Sequence, residues 1–191
     1  TQIIGNLWEP REGAGQSVFT PDGKKYIRFN AWKGLDIFDF DRCSGQLSSP
    51  IESEPLSNPV VVGGGVAVSA NSRYLYLSNI YRLYQFDLQE KDILASRVLV
   101  DTFDGFGDPF PNTFYFMCLG PDEKIYIFSS NGKKSLHVIE EPEAGGTACR
   151  FKQHSISLPA YVSFESNNIP YFRLGPDDGS VCDTLGLNNV P

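Results

Sequence analysis

Three stretches of the chain share one internal grammar, and no other feature constrains the fold as tightly. They are SVFTPDGKKYIRFNAWKGLDIFDFD from Ser17, GVAVSANSRYLYLSNIYRLYQFDLQ from Gly65 and FMCLGPDEKIYIFSSNGKKSLHVIE from Phe116. In each, a short apolar run leads into a tight turn, then an alternating aromatic run, a polar turn and a second alternating run. The tight turns are Pro21-Asp22-Gly23, Ala70-Asn71-Ser72 and Pro121-Asp122-Glu123, built from residue types that supply turn geometry. Their first residues stand 49 and then 51 residues apart. Self-similarity at such a period marks an array whose units cannot bury their faces alone and must stack on neighbours.

The period and the run of strands predict an all-β fold, a partial β-propeller of about three to four antiparallel four-stranded blades of ~50 residues each. In the middle copy, strands are expected near Gly65 to Ser69, Arg73 to Asn79, Arg82 to Leu88 and Ser96 to Thr102. Tyr74 and Tyr76 alternate with Leu75 and Leu77, so both faces of that sheet are expected to be buried. The division that follows is 1–16 as the end of a preceding blade, holding Trp8, then blades 17–64, 65–115 and 116–152. Residues 153–191 read as an irregular closing or linker segment whose only strand-like run is Tyr161 to Phe164. All belong to one propeller domain or half-domain. The start at Thr1, with no charged-then-apolar leader, fits a mature or excised piece of a larger propeller.

Composition narrows the partners. Of the 191 residues, 41% are hydrophobic and 13% aromatic, enough for a packed core, and the net charge is -7. A field of that sign repels a phosphate backbone, so nucleic acid is excluded as an expected partner. No apolar run reaches the ~18 residues of a membrane helix, and the longest, Val60 to Ala70, is broken by Gly63, Gly64 and Gly65. That glycine triplet precedes a strand and not a helix, so it reads as a close backbone approach near the propeller axis and not as a phosphate cradle. The four cysteines, Cys43, Cys118, Cys149 and Cys182, contain no CxxC pair. They allow three disulfide connectivities, of which Cys149 to Cys182 is the candidate retained.

Several phrases also carry a resemblance: FDFDRCSGQLSSPIE from Phe38, VSANSRYLYLSN from Val68, LGPDEKIYI from Leu119, SLHVIEEPEAGGTACRFKQHSISLP from Ser135 and YFRLGPDDGSVCDTLGLNN from Tyr171. In this order they resemble the propeller region of large secreted Bacteroidetes proteins, YVTN-like or quinoprotein-like, that end in a type IX secretion sorting domain. The chain departs from that pattern at Asp178, Asn188 and Val190. The resemblance implies an extracellular or cell-surface location, a place in a multidomain protein and no assigned catalytic activity.

Chemistry-bearing residues are sparse. His137 lies in the alternating run Leu136-His137-Val138-Ile139, where a lone histidine is usually a packed strand residue. His154 lies in the polar stretch Lys152-Gln153-His154-Ser155, a loop by expectation, with no second histidine beside it in sequence. Asp101, Asp104 and Asp108 in DTFDGFGDP offer oxygen ligands between flexible glycines, which makes calcium the one ion worth naming, although a solvated loop is the simpler account. The same holds for Asp177, Asp178 and Asp183. Asp36, Asp39 and Asp41 read as a polar face or turn cap. No GxSxG is present and no catalytic residue is assigned.

The sequence alone therefore predicts a non-catalytic extracellular binding or scaffold module with no required cofactor. Its partner is expected to be a protein or glycan at the cell surface, contacted through Trp32, Tyr81 and Phe106. A second partner is the remainder of the parent propeller or a second copy of the chain. Two alternatives stand beside this reading: a metal-dependent propeller enzyme of lactonase or lyase type, and a structural spacer or adhesin segment.

Overall fold

The computed structural model describes residues 1–5, 15–55, 63–107, 109–162, 174–175 and 179–180. They form twelve strands in three antiparallel four-stranded sheets, the architecture of a partial β-propeller. The first sheet holds β1 (Gly15–Phe19), β2 (Lys25–Asn30), β3 (Gly34–Asp41) and β4 (Gln46–Glu52) in chain order. The second holds β5 (Gly65–Val68), β6 (Tyr74–Ser78), β7 (Arg82–Asp87) and β8 (Val98–Thr102). The third holds β9 (Met117–Leu119), β10 (Ile125–Ile127), β11 (Lys133–Ile139) and β12 (Phe151–Val162). The expected strands of the middle copy agree with β5 to β8 to within two residues. Trp8, Asp108, Asp177, Asp178, Cys182 and Asp183 lie outside the described residues.

Period-two alternation decides what each face of the second sheet meets. Val66, Val68, Leu75, Leu77, Tyr84 and Phe86 point into one apolar cluster with Ile27, Phe29, Leu35 and Ile37 of the first sheet. Ala67, Tyr76 and Leu83 point the other way, against Phe114 of the β8–β9 crossover and Met117, Ile125, Ile127 and Ile139 of the third. The middle sheet is thus buried on both faces, as its alternating aromatics required. Tyr76 is fully buried, and its hydroxyl stays satisfied by donating to Pro142 O at 3.0 Å and accepting Gln85 Nε2 at 2.6 Å. Burial of one such ring is worth about 2–3 kcal/mol.

The inner strands β1, β5 and β9 pack side by side, and one side chain joins all three sheets. Gln16 Oε1 accepts the amides of Val66 and Met117, each at 3.1 Å, while its Nε2 donates to Met117 O at 2.7 Å. The glycine triplet makes room for this junction. A Cβ on Gly64 would fall 2.0 Å from Ser78 O, and one on Gly63 would fall 2.1 Å from the Tyr115 ring. The close backbone approach read from the sequence is present.

At one end of the sheets the repeat holds in atomic detail. Gly23, Ser72 and Glu123 all take left-handed backbone, with φ of 69°, 62° and 67°. Each donates its amide back to the residue three before it, Thr20, Ser69 or Gly120, at 2.8 to 3.0 Å. The first side chain of each Asp or Asn turn, Asp22, Asn71 or Asp122, accepts the amide two residues on. The neighbouring aspartates divide their work. Asp36 is buried against Arg28 at 2.7 Å, Asp39 pairs with Lys25 at 2.6 Å, and Asp41 caps the turn through the amides of Cys43 and Ser44.

Two expectations are corrected. Phe151–Val162 is a twelve-residue strand, the outermost of the third sheet, where the sequence showed strand character only from Tyr161 onward. Its burial alternates weakly because an outer strand has one neighbour and little apolar cover. Cys149 is a buried free thiol packed in the cluster between the second and third sheets, so it does not bridge to Cys182. Cys118 is also free, and Cys43 is disulfide-bonded.

Candidate functional site

The opposite end of the sheets carries the turns β2–β3, β6–β7 and β10–β11 and the crossover from β8 to β9. Gln16, Val66 and Met117 stand at the same end of their strands, so these loops all crowd one end of the array. Trp32 lies in the β2–β3 turn with its amide donated to Asn30 Oδ1 at 2.8 Å. Tyr81 lies in the β6–β7 turn, half-exposed, 6.0 Å from the Phe103 ring. Phe106 lies in the β8–β9 crossover, also half-exposed.

The polar centre of this end is built by a bulge. Leu136 pairs with Ile156 and Val138 with Lys152, so two steps along β11 face four along β12. The surplus residues sit around His154, whose φ of 52° is left-handed for a residue with a side chain. Such backbone costs about 1–3 kcal/mol and persists only where surroundings hold it. Here the His154 amide donates to His137 Nδ1 at 3.3 Å, and the two rings lie 4.8 Å apart. The loop expected at His154 is instead a strand irregularity.

The bulge aims the His154 ring at the crossover loop. Its Nε2 lies 3.0 and 3.2 Å from the two oxygens of Asp104, and its Nδ1 lies 2.8 Å from Asn112 Nδ2. Asn112 Nδ2 also donates to Ser135 Oγ at 2.8 Å. Phe106 packs on the imidazole with ring centres 4.5 Å apart. Gln153 fastens the loop from below, donating to Asp101 Oδ2 at 3.0 Å and to Thr102 O at 2.9 Å while accepting the Asp104 amide at 3.3 Å.

Exposure separates the members. The Asp104 side chain is 45% exposed and that of His154 17%, whereas His137 and Asn112 are fully buried. Burial pushes the Asp104 carboxyl up, but the Phe106 amide and the His154 ring outweigh it and hold the group below the ordinary carboxylate range. Burial drives His137 down to about 3, helped by the facing His154. His137 is therefore neutral, and because its Nδ1 accepts an amide hydrogen, its Nε2 carries the proton. Among the described residues that Nε2 makes no full hydrogen bond, nor do Asn112 Oδ1 and Thr113 Oγ1, although the backbone of Asn112 and Thr113 lies close enough to favour the protonated ring slightly. Phe114 meets His137 edge-on at 4.9 Å and closes the site from the core side.

An imidazole locked to an accessible carboxylate can take up and return a proton, and an aromatic face beside it can hold a ring-shaped ligand. The structure thus joins residues that the sequence presented apart: Asp104, Phe106, His137 and His154. Asp101 reaches the cluster through Gln153, with its oxygens taken by protein donors. Among the described residues, no group of three or more His, Cys, Asp or Glu side chains is arranged to hold a metal ion. Asn112, Ser135 and Gln153 carried no signal in the sequence, since amides and hydroxyls in loops are common and their partners lie 23 to 52 residues away.

No protein-family model and no curated protein matches the chain. Solved structures do. A provisionally assigned 6-phosphogluconolactonase of Bacteroides uniformis is similar at 17% identity and a TM-score of 0.52, over 76% of this chain and 40% of that one. Its counterpart from Bacteroides fragilis is similar at 18% identity and 0.50, over 77% and 40%. A periplasmic gluconolactonase of Pseudomonas aeruginosa follows at 16% and 0.48, over 81% and 43%. The chain spans about 40% of the length of these structures. The likeness shows the propeller fold. It also corrects the expectation of a non-catalytic chain, because provisionally assigned lactonases share the fold and the architecture gives no ground for excluding catalysis. No helix among the described residues is long and apolar enough to cross a membrane.

Proposed function

We propose that the chain is part of a propeller enzyme of lactonase type, acting on a ring ester of a polyhydroxylated acid. The observation that carries this reading is the Asp104–His154 pair, held by a strained bulge at the loop-bearing end of the sheets. Asp104 presents the accessible oxygens and His154 stands behind them. In hydrolysis, water adds to the ester carbonyl and gives its proton to the pair, and the pair returns a proton to the departing ring alkoxide. Phe106 supplies a face for the substrate ring, and Trp32 and Tyr81 edge the same end. The fold shared with provisionally assigned 6-phosphogluconolactonases supports the choice of substrate class.

The disulfide at Cys43 supports an oxidising, extracytoplasmic setting, in keeping with the resemblance to secreted Bacteroidetes propellers. In that setting a surface glycan or protein is the proposed source of substrate, and further blades or a second copy would cover the outer sheet faces. Calcium at the Asp101–Asp104 corner would have to displace Gln153 and His154. A rise in melting temperature on calcium addition would reopen the metal-dependent version.

The test is hydrolysis of simple sugar δ-lactones by the purified chain, read as proton release. Asp104→Asn and His154→Asn are each expected to lower the rate by about 10²-fold or more, and Phe106→Ala to act mainly on KM. A wild-type rate no faster than buffer, or two unaffected variants, overturns the reading.

A further inference from the structure

The Asn112 amide occupies an unusual position. It is fully buried, it touches the one nitrogen of His154 that does not face Asp104, and its Oδ1 has no partner among the described residues. With the imidazole neutral and Nε2–H donated to Asp104, Nδ1 is a hydrogen-bond acceptor, and Asn112 Nδ2 supplies a hydrogen at 2.8 Å. Its second hydrogen goes to Ser135 Oγ. When His154 gains a proton, Nδ1 becomes a donor and faces an amide NH2, two donors against each other. A half-turn of the amide removes the conflict. Oδ1 then accepts from Nδ1–H and from the Ser135 hydroxyl, which serves as donor or acceptor by rotating its hydrogen. In the orientation the structure shows, Oδ1 has no partner among the described residues, so turning the amide over breaks no bond at that end.

We propose that Asn112 is a positioning residue whose amide turns over as His154 gains or loses its proton, so that Nδ1 keeps a partner in both charge states. The inference rests on the reading of Asp104 and His154 as a proton-transfer pair and names what lets that pair change charge inside a packed site. Among the described residues, few groups face the imidazole. They are Asp104 from the crossover loop, the neutral ring of His137 from β11, and Gln153 on its own strand, which holds Asp101 at 3.0 Å. Phe106 covers the ring and brings no charge. Burial keeps His137 neutral down to about pH 3, so its ring brings no charge to the site above that pH.

The experiment is a substrate-free NMR titration of the 15N-labelled chain from about pH 8 to about pH 4, alongside the pH profile of lactone hydrolysis. The expected result is that His154 at high pH carries its hydrogen on Nε2, and that the Asn112 side-chain amide signals shift with the same midpoint as the His154 nitrogens. Asn112→Asp, nearly the same shape, should raise proton affinity at His154 by about tenfold or more through its added charge. Asn112→Leu should lower it and move the hydrolysis profile by the same amount. Asn112 amide signals that stay flat through the His154 transition, or an unchanged midpoint in Asn112→Leu, would overturn the proposal. If the amide follows His154 but the chain hydrolyses no lactone, the enzymatic reading falls while the role of Asn112 stands.

Discussion

The two ends of the three sheets follow different rules. At one end the same turn recurs three times, with Gly23, Ser72 and Glu123 in matching left-handed backbone. At the other, the β2–β3 turn closes from Lys33 N to Asn30 O and the β6–β7 turn from Tyr81 N to Asn79 O, the β10–β11 turn is two residues longer than either, and the third sheet breaks its own ladder to lift His154 toward Asp104. Strain at the regular end is incidental to turning the chain. At the irregular end it is spent on placing a side chain, which is how functional backbone strain differs from structural strain.

The largest expected effect concerns the crowded junction at the irregular end. Gly64→Val would drive a side chain into the Ser78 carbonyl at a φ of 150°, and should abolish cooperative folding or cost more than about 4 kcal/mol. Gly45→Asn, in a turn at the regular end with open space around it, should cost under about 1 kcal/mol. Denaturant unfolding of the two variants compares the ends directly, and equal losses would break the contrast.

Next in size is a pH effect. His137 has its proton affinity depressed on folding, from an ordinary value of 6.5 to about 3. Between those values the unfolded chain binds more protons, so stability rises with pH through that window and is lost as pH falls through it, by a few kcal/mol at most. His137→Gln should flatten this dependence in urea titrations at pH values spanning the window. A wild-type stability that is level there refutes the buried neutral ring.

The smallest effect is relief of turn strain. Glu123→Gly relieves left-handed backbone worth about 1 kcal/mol, a rise of roughly 2–4 °C in melting temperature for a chain of this size, less what the contacts of the Glu123 side chain contribute. Ser72→Gly frees the same kind of backbone but forfeits the bond in which the Ser72 hydroxyl accepts the Asp22 amide at 2.9 Å, so it should gain less than the strain it relieves. His154→Gly frees the same kind of backbone but forfeits Asp104 and Asn112, so it should gain nothing and lose activity. A stabilised His154→Gly variant would mean that the bulge holds no useful contact.

This contrast also marks what could be read from the residues. The strands of the middle sheet were legible because Tyr74 to Leu77 must alternate between two buried faces, and the turns because Pro, Asp, Asn and Gly declare their backbone. β12 was not legible, since Lys152, Gln153, Ser155 and Ser157 look like loop residues and Pro159 interrupts the run. An outer strand draws its stability from one neighbour and needs no apolar pattern. Asp104, Phe106, His137 and His154 could each be named, but their meeting depends on a bulge of β12 against β11, for which no local residue preference codes. The disulfide was misplaced because Cys149 is surrounded by the apolar packing between two sheets, a condition invisible in cysteine spacing.

Gln16 carries a last consequence. Linear arrays of repeats can lose their end units one at a time, since each touches only its immediate neighbours. Here a single carboxamide links β1 to the second sheet 50 residues on and also to the third sheet 101 residues on. Peeling away the first sheet would therefore uncap backbone groups in the third. The chain behaves as an arc pinned at its centre, and it should melt in one step where a row of independent modules would melt in several.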